Sequence, residues 1–101
     1  MKHEIIVIAT DQVRVVIEGE VDMHVAPALR TVLHEAVAAK PALLRVDLAA
    51  VPFMDSSGIA TLVEALKTLR KWSGSLRVEN SQETVRDTFE IAGLSEILGV
   101  V

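Results

Sequence analysis

The sequence predicts an α/β domain with a mixed sheet of about four strands and helices mainly on one face. Three observations lead there. Val- and Ile-rich segments with period-two alternation are interleaved with segments whose apolar residues recur every 3.6 residues. The first two strand-like segments follow each other across a short turn. The later ones are separated by helical segments, which implies right-handed crossovers and parallel pairing. The chain has 101 residues, half of them hydrophobic, enough to build one core and one domain over residues 1–101 and to exclude disorder as the main state.

The elements follow in the order β-β-α-β-α-β-α. Glu4–Ala9 and Gln12–Glu18 flank Thr10-Asp11-Gln12 and read as a hairpin. Val13, Val15 and Ile17 share one face of the second strand, and Arg14 and Glu18 the other. Val16 breaks the alternation, which points to a central rather than an edge strand. Gly19 ends that strand. A helix is expected over about Val25–Ala39, with Val25, Leu29, Val32, Leu33, Ala36 and Val37 on its apolar side. Pro27 suits its first turn and Pro41 enforces its end. Arg30, Thr31, His34 and Glu35 fall on the wet side.

Leu43–Leu48 alternates as a strand, with Arg45 and Asp47 turned outward. After the loop Ala49–Asp55, a second helix is expected over Ser57–Trp72, striped by Ile59, Leu62, Val63, Leu66 and Leu69. Ser73-Gly74 closes it. Ser75–Glu79 is the fourth strand. Asn80-Ser81 followed by Glu83 resembles a helix start, and the third helix is expected over Gln82–Ala92, with Val85, Phe89 and, at its end, Ala92 as candidates for burial. Gly93 ends it, and Leu94–Leu98 fits one further helical turn.

Composition narrows the function. Fourteen acidic against ten basic residues give a net charge of −4, and only 3% of residues are aromatic. That balance argues against nucleic acid as a partner. Cysteine is absent, so disulfides, thiolate nucleophiles and Cys-based zinc sites are excluded. The apolar run Ile5–Ala9 is short for a secretory signal, and no segment approaches the roughly 20 residues of a membrane span. The expectation is a cytoplasmic protein without membrane insertion.

Phosphate-cradling glycine patterns are missing. Asp55-Ser56-Ser57-Gly58 lacks the first glycine of a nucleophile elbow. His3, His24 and His34 have no ligand spacing and read as surface residues; no metal and no cofactor is expected. Asp47 and Asp55 as a carboxylate pair are outweighed by their reading as an outward strand residue and a helix-start residue. The informative stretch is Val51-Pro52-Phe53-Met54-Asp55-Ser56-Ser57-Gly58-Ile59, at a strand-to-helix handover. Asp55, Ser56 and Ser57 are all N-cap types, more than one cap requires. With Phe53 and Met54 beside them they suggest a docking surface centred on a hydroxyl. Gly58 reads as a position of close packing.

This stretch resembles the signature of the STAS domain family, the anti-sigma factor antagonists (anti-anti-sigma factors). The family motif is Asp-Ser-Ser/Thr-Gly followed by an aliphatic residue at a helix start, matched here by Asp55-Ser56-Ser57-Gly58-Ile59. Gly19-Glu20-Val21-Asp22 is similar to the family's Gly-Glu-Leu-Asp element, and Phe89-Glu90-Ile91-Ala92-Gly93-Leu94 to its Phe-Asp-x-Ser-Gly-Leu segment. The resemblance covers nearly the whole chain and implies a partner switch that regulates bacterial transcription indirectly. Ser56 would be the phosphorylation site. An anti-sigma factor with serine kinase activity would modify it from ATP, the modified form would let go, and a phosphatase would reset it. Asp22, Phe53, Met54, Asp55, Ser57 and Gly58 would form the partner-binding surface. The chain would then be a substrate and binder, not an enzyme.

Two departures bear on the partner. Many family members continue with another strand and helix, whereas this sequence stops at Val101. Met23 and Val25 stand where sporulation-type members are often polar. An alternative that keeps the fold is a small cytoplasmic subunit of a lipid or organic-solvent ABC transporter, gripping its ATPase or permease. A third reading, Ser56 or Ser57 as an enzymatic nucleophile, needs a base within reach, and only His24 is a candidate.

Overall fold

The computed structural model describes residues 1–101. Its elements are β1 (Lys2–Ala9), β2 (Gln12–Glu18), α1 (Ala26–Val37), β3 (Leu43–Ala50), α2 (Ser56–Arg70), β4 (Ser75–Glu79) and α3 (Glu83–Ile91). They form one four-stranded sheet in the order β1-β2-β3-β4. β1 pairs antiparallel with β2, while β2–β3 and β3–β4 are parallel. The expected mixed sheet is therefore present, and β2 is central, as Val16 indicated.

One face of the sheet is dry. Val13, Val15 and Ile17 of β2, Leu44, Val46 and Leu48 of β3, and Leu76 and Val78 of β4 join a single cluster. The helices close it with Leu29, Val32 and Leu33 of α1, Leu62, Leu66 and Leu69 of α2, and Val85 and Phe89 of α3. The other face carries charge in registered rows. Arg14, Arg45 and Arg77 lie abreast, and the next row holds Val16, Asp47 and Glu79. Like charges side by side on neighbouring strands repel. Here the arginines reach diagonally to the carboxylates: Arg14 to Asp47, and Arg45 to both Glu79 oxygens at 2.7 and 2.8 Å.

Three local readings need correction. Asp47 points to the open face but is not solvated; it is 6% exposed. Arg14 and the Asn80 amide cover it, and the Ala49 N–H donates to its second oxygen. Asn80 and Ser81 do not cap α3. Its N-cap position is Gln82, without a side-chain cap bond. Asn80 instead adopts a left-handed φ of 57° and spends its amide on Asp47, while the Ser81 hydroxyl is buried without a partner. At the end of α2 the left-handed residue is Ser73, with φ 63°. Gly74 is needed for space: a Cβ there would meet Trp72 Nε1 at 2.9 Å and the Pro41 carbonyl oxygen at 3.0 Å.

After α3 the Leu98 N–H donates to the Leu94 carbonyl at 2.9 Å, closing the expected extra turn. Leu98 is fully buried. The last residues run beside β4, where Val78 accepts from the Val101 N–H at 3.0 Å.

Candidate functional site

The C-terminal ends of the parallel strands deliver two loops to one place. Gly19 to Asp22 leaves β2, and Val51 to Asp55 leaves β3. They are joined by an isolated parallel bridge between Val21 and Met54. The Val21 N–H donates to the Phe53 carbonyl at 2.9 Å, and the Asp55 N–H donates to the Val21 carbonyl at 3.1 Å. The segment holding Asp22 is thereby held alongside the start of α2.

Asp55 begins α2 from an extended conformation, with φ −93° and ψ −175°. Its Oδ1 accepts from the Ser57 N–H at 3.0 Å, from the Gly58 N–H at 3.4 Å and from the Ser57 hydroxyl. The first-turn amides of a helix have no intrahelical partners, and this carboxylate satisfies two of them. The Ser57 hydroxyl bond, with support from the Ser57, Gly58 and Met23 amides, holds the Asp55 carboxyl below its ordinary value against the opposing effect of desolvation. Asp55 is thus a fixed negative charge at neutral pH.

The two serines of the motif differ. Ser56 is exposed, and its hydroxyl takes no hydrogen bond within the chain. Ser57 is half-buried, its hydroxyl committed to Asp55 and its carbonyl accepting from the buried Thr61 hydroxyl at 2.9 Å. Gly58 is buried beneath them. A Cβ at Gly58 would stand 2.7 Å from Met54 Cγ and 2.9 Å from Val21 Cγ1. The close-packing reading of Gly58 describes its surroundings.

Phe53 and Met54 part company. Phe53 is 48% exposed, whereas Met54 is 2% exposed and belongs to the core. Met54 was expected on the docking surface; the bridge to Val21 turns it inward, and its role is to support Gly58. Met23, 68% exposed, lies next to Asp22 and adds an apolar side chain at the rim. The sequence offered one hint of it: a large apolar residue set between the polar Asp22 and His24.

Asp22 is a cap. Its Oδ1 accepts from the His24 N–H at 2.9 Å and the Val25 N–H at 3.1 Å, and its carbonyl accepts from Ala26 at 2.8 Å. This shapes the turn leading into α1. Asp47 and Asp55 do not form a pair: the first is held by Arg14 and Asn80, the second by α2. His3, His24 and His34 are exposed. No group of three His, Cys, Asp or Glu side chains converges. No helix is long and apolar enough to cross a membrane.

Known proteins are similar to this chain over most of its length. The chain is 38% identical to an anti-sigma-B factor antagonist of Bacillus subtilis over 90 residues, covering 89% of this chain and 82% of that protein. It is 33% identical to an anti-sigma-B factor antagonist of Listeria monocytogenes, covering 90% and 80% respectively. Among solved structures, an anti-sigma factor antagonist from Mycobacterium paratuberculosis superimposes with a TM-score of 0.83 at 28% identity, over 98% of this chain and 85% of that one. The STAS domain model matches residues 4–101, and this chain belongs to the STAS domain family.

Proposed function

We propose that this protein is an anti-sigma factor antagonist switched by phosphorylation of Ser56. Unmodified, it binds an anti-sigma factor that is also a serine kinase and so frees a sigma factor. In the transfer step Ser56 Oγ attacks the γ-phosphorus of the partner's ATP. The new O–P bond replaces the bond to the leaving ADP oxygen, and the hydroxyl proton passes to a base on the partner. A phosphatase later hydrolyses the ester. The chain acts throughout as substrate and binder.

The observation that carries this reading is the contrast between the two serines. Ser56 is exposed and unbonded at the first position of α2, while Ser57 is tied to Asp55. A kinase meets one free hydroxyl. The family membership and the names of the relatives support the antagonist part of this reading.

Phosphorylation adds about −1.5 to −2 charges. The N-terminus of α2 favours an anion by about 0.3–2 kcal/mol, against repulsion from the ionised Asp55. The fold therefore tolerates the modification. The partner does not, because the phosphate brings charge into a contact fitted to a neutral hydroxyl. Like-charge contacts in an interface cost several kcal/mol, and each 1.4 kcal/mol is about tenfold in affinity. Asp22, Phe53 and Asp55 frame the contact, and Ser57, Gly58 and Met54 hold its shape.

The test is to incubate the chain with ATP and each serine kinase anti-sigma factor of its host, then map phosphate by mass spectrometry. Modification at Ser56 is the expected result. Phosphate at Ser57, or none with any partner, would overturn the assignment.

A further inference from the structure

The two edges of the sheet differ. At the β4 edge, residues 98–101 lie along the strand. Val78 donates its N–H to the Leu98 and Gly99 carbonyls, both at 3.2 Å, and accepts from the Val101 N–H at 3.0 Å. The approach is so close that a Cβ on Gly99 would meet the Leu76 carbonyl oxygen at 2.7 Å. The β1 edge has β2 on one side and no strand on the other. Backbone donors and acceptors of alternate residues face outward there, a template for a further strand.

That open edge carries Ile5-Ile6-Val7-Ile8. Edge strands are ordinarily blunted by charge or proline, and this run has neither. Ile5 lies opposite Val15 and Val7 opposite Val13, on the side where the helices pack. Ile5 packs against the core, yet Val7 is 72% exposed, because the helical layer stops short of it. Ile8, set out of register with β2 by a bulge, is 43% exposed.

The edge is self-complementary, which says what fits it. Two copies of a strand paired antiparallel are related by a two-fold axis through one residue position, since outward- and inward-facing backbone groups alternate and only like positions pair. With the axis at Ile6, Ile5 of each copy lies against Val7 of the other, and Val7 is covered. Lys2 comes abreast of the Thr10-Asp11 turn of the second copy. Lys2 and Asp11 are exposed and belong to none of the chain's ion pairs, so the pairing offers each an opposite charge. Glu4 falls opposite Ile8, and no like charges meet. An axis at Glu4 would instead set that carboxylate against itself. Each chain carries −4 overall, but β1 holds one Lys and one Glu, and exposed charges farther apart than about 8 Å are screened at physiological ionic strength.

We infer that the β1 edge is a self-association surface, on which a second copy of this chain docks by antiparallel β1–β1 pairing centred on Ile6. The two four-stranded sheets then continue as one. This goes beyond the Ser56 reading and does not depend on it. The axis stands perpendicular to the sheet, so the helices of both copies lie on the same side. It reverses strand direction, so the two α2 starts face opposite ends of the dimer and each Ser56 stays open.

The experiment is sedimentation equilibrium of the full chain at rising concentration. A monomer–dimer equilibrium is expected, half dimeric by roughly 100 μM, as suits a short interface. Val7→Lys is expected to raise the dissociation constant about tenfold or more, and the milder Val7→Thr by less. Ile91→Lys changes an aliphatic that is 88% exposed on α3, and is expected to dimerise like the unsubstituted chain. Lys2→Glu is expected to weaken the dimer, and Lys2→Glu with Asp11→Lys to restore it. Circular dichroism checks folding. The chain has no cysteine, so Ile6→Cys carries a single thiol. Directly opposed Cα atoms of antiparallel strands are about 4.5–5.5 Å apart, within disulfide range. Under mild oxidation Ile6→Cys is expected to form linked dimers about tenfold faster than Thr31→Cys on the exposed side of α1. A chain still monomeric at about 1 mM, a dimer that folded Val7→Lys leaves intact, or equal oxidation rates for the two cysteine variants would overturn the proposal.

Discussion

Gly58 lies so close to Met54 that a methyl group on its Cα would stand 2.7 Å from Met54 Cγ. Carbon atoms in comfortable contact are about 3.5–4.0 Å apart. Val21 Cγ1 blocks a second direction at 2.9 Å. The first turn of α2 therefore sits directly on the bridge between Val21 and Met54. The direction in which Ser56 projects depends on residue 58 having no side chain.

Gly58→Ala is the direct test of that packing. Alanine gains about 1 kcal/mol of helix propensity over glycine. Overpacking a tight site costs about 1–3 kcal/mol, and here one obstacle is the stiff Val21 side chain. The net expectation is a lower urea midpoint. Met54→Ala removes one of the two obstacles, so the double variant is expected to lose less stability than the two single losses added together.

Ser56→Ala is expected to abolish phosphorylation and leave the thermal midpoint within a few degrees of the unsubstituted chain, because the Ser56 hydroxyl bonds to nothing. Ser56→Asp places a negative charge at the same helix start. It is expected to fold and to weaken kinase binding by about tenfold or more. Tight binding by folded Ser56→Asp would contradict a charge-driven release.

Ser57→Ala separates the cap from the acceptor. The Ser57 hydroxyl is the largest influence holding the Asp55 carboxyl below its ordinary value. Removing it is expected to raise that value, read from the Asp55 carboxyl carbon shift in an NMR titration. Ser56 remains exposed, so phosphate incorporation is expected to persist. Loss of phosphorylation in a folded Ser57→Ala protein would mean that Ser57 is the acceptor.

Acid sensitivity follows from Asp47 and Glu79. Burial opposes ionisation of Asp47, but the Ala49 amide, Asn80 and Arg14 outweigh it and hold its carboxyl low. The Arg45 hydrogen bonds do the same for Glu79 against desolvation. Folded values below unfolded ones stabilise the fold above the ordinary carboxyl range, about pH 4, and that stability is lost as pH falls through the depressed values. Urea midpoints are expected to be level from about pH 6 to 8 and to drop below about pH 4. Asp47→Asn is expected to flatten that acid limb. Asp47→Ala strands Arg14 and Asn80 and is expected to cost about 1–3 kcal/mol at neutral pH.

The bounds of β2 and β4 were legible in the sequence because turn residues punctuate alternating runs there. Those of β1 and β3 were less so: β1 reaches back to Lys2 and β3 on to Ala50, since ladder pairing continues through Glu18, opposite Lys2 on one side and Ala50 on the other. In the site, the cap by Asp55 followed from residue type and position. The fates of Phe53 and Met54 did not, because neighbouring loop residues carry no periodicity to say which turns inward. That choice is made by Val21, more than 30 residues away in sequence. Asp47 misled for the same kind of reason. Its alternation is right, but its cover comes from Arg14 and Asn80 on other segments.

The rows of Arg14, Arg45 and Arg77 against Asp47 and Glu79 have a consequence for how the molecule can be held. A sheet studded with paired ions offers no dry plane on which a further layer could stack, since desolvating those ions would go uncompensated. That face is consequently the wet back of the molecule, and chance adhesion to it is discouraged.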